Sequence, residues 1–228
     1  MQSAAHPVDA RARGDAILAA GCDPPRYASK HPPLRLVDRI ARAAMPVLHS
    51  YPKPAVPREV AAQLRSYVRI QWPFLDARDG RLWEVPIDSD ARTFVVLDGE
   101  VLVSHAEANF RNVEHAGTTY RVGGLGAVFT YPAYRRGGFA QRVVRAATEF
   151  LDASDADLAL LFCGERLREF YKTFGWTAAE EAQIRYGERT NQQAYAGGIV
   201  MMRFISEDGR AAGAAFRRDA VYVGRRTW

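Results

Sequence analysis

The segment from Tyr131 to Val144, YPAYRRGGFAQRVV, constrains the fold most. It sets two arginines and two glycines between an apolar run ending near Thr130 and a helical pattern. A strand that enters a Gly-rich turn and then a helix leaves several backbone N–H groups unpaired at the helix start. Those donors and the helix dipole favour an anion, most often phosphate. Gly137 and Gly138 carry no Cβ, so the backbone there can approach a ligand closely. Arg135 and Arg136 add positive charge at the rim. The turn is neither a GxxxxGK[ST] loop nor a GxGxxG fingerprint. Taken alone, it also fits a plain glycine turn with solvated arginines.

The flanking pattern places this unit in a mixed α/β or α+β domain. Residues 1–33 are rich in Pro, Ala and Arg with little periodicity, and read as a loosely ordered extension to a single domain over 34–228. Apolar residues from Leu34 to Leu48 recur at helical spacing until Pro46 ends or kinks the pattern, and YPKPAVP follows as a stiff connector. Pro57 opens a second helix with Val60, Ala61, Leu64, Tyr67 and Val68 on one face, closed by Pro73. The period then switches to two. RTFVVLDGEVLVSHAEANF reads as strand, Asp98-Gly99 turn and strand, and a turn at Ala116-Gly117 leads to a further strand ending near Thr130. A helix is predicted from about Gly138 to Asp152. DLALLFC is apolar enough for a central strand, and GERLREFYKTFGW for a short helix stopped by Gly175. AQIRYGE and GGIVMMRFI read as closing strands.

Composition narrows the function class. The 228 residues include only Cys22 and Cys163 as cysteines, in no CxxC or Cys/His cluster, so no metal site is expected. No apolar run approaches the roughly 20 residues that span a bilayer, and the N-terminus lacks a signal-peptide apolar region, so the expected location is cytoplasmic, away from membranes. The net charge of +5 favours anionic partners in general, and no RNA-binding signature points to nucleic acid.

Arg135-x-x-Gly138-x-Ala140, set between AVFTYPAY and an amphipathic helix, resembles the acetyl-CoA pyrophosphate loop of the GCN5-related N-acetyltransferases. REFYKTFGW, residues 168–176, resembles that family's tyrosine-bearing helix, and DLALLFC lies between the two in the right order. The resemblance spans roughly Arg92 to Phe204. It implies a twisted sheet splayed between the strands that end at Thr130 and Cys163, with the cofactor acetyl-CoA in the wedge. Its pyrophosphate would rest on the N–H groups of Arg136, Gly137, Gly138, Phe139 and Ala140, with Arg135 at the rim. Its pantetheine arm would pair with backbone at Val128 and Thr130, and the N–H of Val128 or Phe129 would polarise the thioester oxygen. Tyr171 would be the general acid toward the thiolate.

The base is not fixed by the resemblance. The strand before the loop reads GGLGAV and has no acid; Glu107, Glu114, His105 and His115 are candidates, Glu107 first. A covalent route through Cys163 is a further alternative, as is a route with backbone and water alone. The expected acceptor is a small amine in a ternary complex, an aminosugar or aminoglycoside first, with a peptide or protein amine as the alternative; a homodimer is admitted. A silent acyl-CoA-binding domain is the rival from another class. The hairpin connections, the length, FYKTFGW and Trp228 as final residue weakly resemble aminoglycoside 2'-N-acetyltransferases. In those a strand carboxylate binds the polyamine, and the matching position here falls at Gly126. Glu84, Asp88, Asp90, Glu107 and Glu114 read either as a local acidic pocket or as a solvated surface.

Overall fold

The computed structural model describes residues 45–72 and 90–228, which belong to one unit over Ala43–Trp228. The extension expected over 1–33 and residues 34–44 of the helical pattern expected over 34–48 lie outside the described residues, as does Pro73.

In chain order the elements are β1 (Val47–Pro52), α1 (Arg58–Gln71), β2 (Arg92–Asp98), β3 (Val101–His115), β4 (Thr118–Thr130), α2 (Phe139–Asp152), β5 (Leu158–Cys163), α3 (Arg168–Lys172), β6 (Thr177–Ala178), β7 (Gln183–Glu188), β8 (Asn191–Ala194), β9 (Ile199–Phe204), α4 (Glu207–Ala211), α5 (Gly213–Arg218) and β10 (Ala220–Tyr222). One seven-stranded sheet runs β1-β2-β3-β4-β5-β9-β6, and a three-stranded sheet runs β10-β7-β8. The mixed α/β architecture is as expected from the sequence.

Residues 47 and 48 are strand, where the sequence pattern carried a helix through to Leu48. β1 starts one residue after Pro46, whose missing N–H and fixed φ end any helix there. Each residue of β1 from Val47 to Pro52 then finds a partner on β2, from Leu97 back to Arg92. A long-range ladder decides the state of these six residues, not their local spacing.

Each face of the large sheet is covered. On one, α2 sends Val143, Val144, Ala147 and Leu151 onto Phe94, Val103, Ala106, Phe110 and Leu125. Gly123 permits this approach: a Cβ there would meet Leu151 at 2.6 Å. The other face is covered in two patches. Val60 and Leu64 of α1 pack with Val95, Leu102 and Phe129. Further along, Ile184, Phe216 and Val221 pack with Val113, Val122, Leu158 and Leu160.

Between β4 and β5 the sheet opens. Their parallel pairing runs from Val122↔Leu158 to Leu125↔Leu161 and stops there. β4 continues to Thr130 against β3 alone, while β5 continues to Cys163 against β9. The register between β3 and β4 shifts between His105 and Glu107, so that Ala127, at φ +50°, is part of a bulge. A bulge bends its strand and increases twist, and here it falls where β4 leaves β5.

Candidate active site at the opening between two strands

Three groups of residues meet at this opening: the turn after β4, the exposed edge of β4 itself, and side chains from β3, β5 and α3.

The turn begins with a 3-10 segment over Pro132–Tyr134. Arg136 and Gly138 take positive φ, at +68° and +79°. Gly138 is the N-cap residue of α2, with no side-chain cap on the helix. The first helical bond is Arg142 N–H to the Gly138 carbonyl at 3.2 Å. The N–H groups of Phe139, Ala140 and Gln141 therefore have no acceptor within the helix. A Cβ on Gly138 would meet nothing within 4 Å, so the turn is open on that side of Gly138. Gly137 differs: its N–H donates to the Tyr134 carbonyl at 3.4 Å. The turn thus has the uncapped helix-start amides that favour an anion.

On the β4 edge, Tyr131 N–H donates to the Val103 carbonyl at 2.8 Å, and the Ser104 hydroxyl donates to the Phe129 carbonyl at 2.8 Å. Strand alternation then turns Phe129 toward β3 and the backbone of Val128 and Thr130 toward the opening. Of the two N–H groups that the family resemblance offered for the thioester oxygen, Val128 is the one on the open side. The Thr130 carbonyl already accepts from Arg135 Nε at 3.2 Å.

Tyr171 of α3 and Cys163 at the end of β5 come together in one buried cluster on the α2 side of the opening. Burial pushes the Tyr171 phenol well above its ordinary value, and Cys163 adds to the shift. The Cys163 thiol is itself pushed up to about 11, by burial first and then by Glu165. It is a thiol at neutral pH and a poor nucleophile, which argues against an acyl-cysteine route.

On the opposite face stands Glu107. In the β3–β4 register its cross-strand partner is Gly126, the position where the sequence lacked an acid. Directly paired residues share a face with Cβ positions about 5 Å apart, so a carboxylate reaches this place from the neighbouring strand. Glu107 is held by Lys53, whose Nζ donates to Oε1 at 2.5 Å, with side chains only 11% and 7% exposed. Its Oε2 is buried without a hydrogen-bond partner among the described residues.

The other candidate bases fall elsewhere. Glu114 is exposed and pairs with Arg189 at 3.4 Å; His115 packs on Phe216, opposite Thr118 at the far end of β3. Asp90 pairs with Arg121 on β4, so Asp90, Glu107 and Glu114 form no common acidic pocket; Glu84 and Asp88 lie outside the described residues. Among the described residues no group of His, Cys, Asp and Glu is arranged to hold a metal ion. A cavity of about 500 Å³ lined by Asp152, Arg203 and Arg210 is no better candidate, since Arg203 and Asp152 neutralise each other there.

His105 supports the bulge. Its Nδ1 lies 2.8 Å from the Ala127 carbonyl, which can only accept, so Nδ1 carries the proton. Burial is the main reason that its pKa is pushed down to about 3. The neutral form is the folded one, while the unfolded chain binds a proton below about pH 6.5. Stability therefore falls as pH drops from 6.5 toward 3, by roughly 2 kcal/mol between pH 7 and pH 5. Urea unfolding at these two pH values should show this loss, and His105→Gln should remove most of it. An equal loss in the variant would show that another group carries the acid sensitivity.

Comparison with known proteins agrees with this geometry. Residues 64–179, half of the chain, match the family model described as an acetyltransferase (GNAT) domain. The GNAT family N-acetyltransferase YhbS of Escherichia coli, solved with CoA, superposes at a TM-score of 0.56 with 15% identity, covering 79% of this chain and 91% of that one. Escherichia coli ElaA gives 0.49 with 16% identity, over 70% of this chain and 99% of the other. A Brucella melitensis GNAT family acetyltransferase with acetyl-CoA gives 0.44 with 17% identity, over 68% and 90%. No curated protein matches the chain. With half its length covered by that family model, on a sheet open between β4 and β5, the chain belongs to the GNAT acetyltransferase family.

Proposed function

We propose that this acetyltransferase moves the acetyl group of acetyl-CoA directly to a small primary amine, an aminosugar being the first choice, within a ternary complex. The observation that carries the reading is the pair of chemically distinct groups on the two faces of one opening: a phenol that keeps its proton, Tyr171, and a buried carboxylate, Glu107. When bound, acetyl-CoA supplies the activated thioester. The residues that would hold it are Arg136, Gly138, Phe139 and Ala140 at the phosphates, with Arg135 and Gly137 shaping the turn. Val128 and Thr130 lie along the arm, and Phe129 backs them from the β3 side.

The chain's own work is proton management. An ammonium does not attack, so the acceptor must give up a proton; Glu107 takes it at Oε2, the oxygen that Lys53 leaves unpartnered. Tyr171 holds a proton at Oη through the neutral range and can release it to a departing thiolate. The Val128 N–H is a fixed donor for charge that develops beside it. Cys163 remains a thiol throughout.

Glu107, already paired with Lys53, suits an acceptor with one ammonium near the reacting nitrogen better than a polycation. Glu107→Gln keeps the side-chain shape and removes the basic oxygen. It should lower kcat/KM for amine acceptors by about a hundredfold, with CoA affinity unchanged. Full activity on every amine of a panel that includes glucosamine and kanamycin would remove Glu107 from the mechanism. CoA binding without turnover on any amine, in the unaltered protein, would favour a silent acyl-CoA-binding domain.

A further inference from the structure

Two of the three glycines of GGLGAV on β4, Gly124 and Gly126, are explained by one side chain. A Cβ on Gly124 would overlap the indole of Trp228, and one on Gly126 would lie 3.1 Å from the Trp228 carbonyl carbon. Gly124 and Gly126 pair with Asn109 and Glu107 of β3. Trp228 therefore lies on the same face of the sheet as Glu107, across the place where β4 leaves β5.

Three contacts fix it there. The Arg111 guanidinium sits 4.0 Å over the indole ring. The same group donates through Nη1 to the carbonyls of Val223 and Arg226, each at 2.6 Å, and so holds the chain segment that carries Trp228. Phe162, near the end of β5, stacks on the ring at 6.1 Å and 15°. The side chain thus spans β3, β4 and β5 over the seam. Its Nε1 is buried with no hydrogen-bond partner among the described residues, as is Oε2 of Glu107. A buried indole N–H usually finds a partner. An orphan donor and an orphan acceptor share one face of the opening.

We propose that Trp228 is a specificity-determining residue, the wall of the acceptor pocket that ends on Glu107. This rests on the reading of Glu107 as the group that receives the acceptor's proton. Tyr171 and Cys163 close the α2 face of the seam with packed side chains. The acceptor enters on the other face, where Trp228 covers the two glycines. A flat, rigid ring there admits a small amine and excludes a bulky one, and the glycines are what allow the ring to lie so close.

The experiment compares the unaltered protein, Trp228→Ala, Trp228→Phe and Glu107→Gln with acetyl-CoA and two primary amines of different bulk, glucosamine and kanamycin. Calorimetry gives CoA affinity. Trp228→Ala should shift the ratio of kcat/KM values toward kanamycin by about tenfold or more, with CoA affinity unchanged. Trp228→Phe restores a ring and should keep the ratio within about threefold of the original. If Trp228→Ala does not fold, a Trp228→Leu variant, which loses the flat ring but keeps an apolar side chain, should show the same direction of shift. An unchanged ratio in a folded variant lacking the ring overturns the role of Trp228 and leaves Glu107 untouched. Glu107→Gln with full activity overturns the reading on which it rests, and acetylation of neither amine by the unaltered protein overturns both.

Discussion

Gly138→Asp should abolish measurable CoA binding in a protein that still folds. The backbone of Gly138 is left-handed, at φ +79°, and a Cβ there meets nothing within 4 Å. The substitution therefore costs only the conformational penalty of a left-handed residue, about 1 kcal/mol, and Asp tolerates that region better than most. As the N-cap residue of α2, the new carboxylate would turn onto the free N–H groups of Ala140 or Gln141 and cap the helix. That is the place we assign to the diphosphate, so one substitution removes donors and adds a like charge. Affinity should fall at least about a hundredfold, near 2.7 kcal/mol, the size of one or two lost hydrogen bonds to a charged group. Gly138→Asn carries the same shape without the charge and should lose less. Calorimetry with CoA measures both, and thermal melts confirm the fold. Unchanged affinity in folded Gly138→Asp would mean that the turn after β4 does not hold the phosphates.

That this turn is visible in the sequence, and other parts of the site are not, has a physical cause. Glycines, arginines and a helical pattern in fourteen residues are local signals, read without knowing any partner. The hairpin at Asp98-Gly99 and the apolar run of β5 are local in the same sense, and the structure has both. β1 was misread because its six residues owe their state to β2, forty or more positions away. β8, NQQA, has no apolar alternation at all and exists by pairing with β7. The small second sheet was accordingly missed, although its strand β7 was expected.

The same distinction runs through the site. Glu107 could be named from the sequence as one acid among several. That it stands opposite Gly126 is a matter of register across a bulge, and a one-residue slip would put it on the other face. Lys53, its partner, comes from a turn 54 positions earlier, with no signal of its own. The run GGLGAV announced a missing acid; that its glycines make room for Leu151 on one face and Trp228 on the other needed coordinates. His105 was one candidate base among four, and its geometry makes it the support of a carbonyl at the bulge.

Tyr171→Phe carries the second large effect, and here the loss should lie in turnover alone. The ring of Tyr171 is buried against Phe170 at 5.0 Å, within the cluster that includes Phe174 and Cys163. Phe keeps that packing, so the fold and the shape of the opening survive. Among the described residues the phenol oxygen has no hydrogen-bond partner, so its removal strands no buried group in the unliganded protein. Burial raises the phenol's pKa, which makes it a weaker acid than free tyrosine but keeps it protonated at every working pH. The benefit comes only as negative charge develops on the sulfur departing beside it, and such proton donation is worth about 10²–10⁴ in rate. We expect kcat to fall by about a hundredfold or more, with CoA affinity and amine KM little changed, the pattern of an interaction made in the transition state only. The pH profile gives an independent check. An acid whose pKa lies above its ordinary value of about 10 does not lose its proton near pH 10, so activity should not decline there for this reason. Full turnover in Tyr171→Phe, or a fall confined to KM, would leave Tyr171 as a core aromatic and return the proton to water.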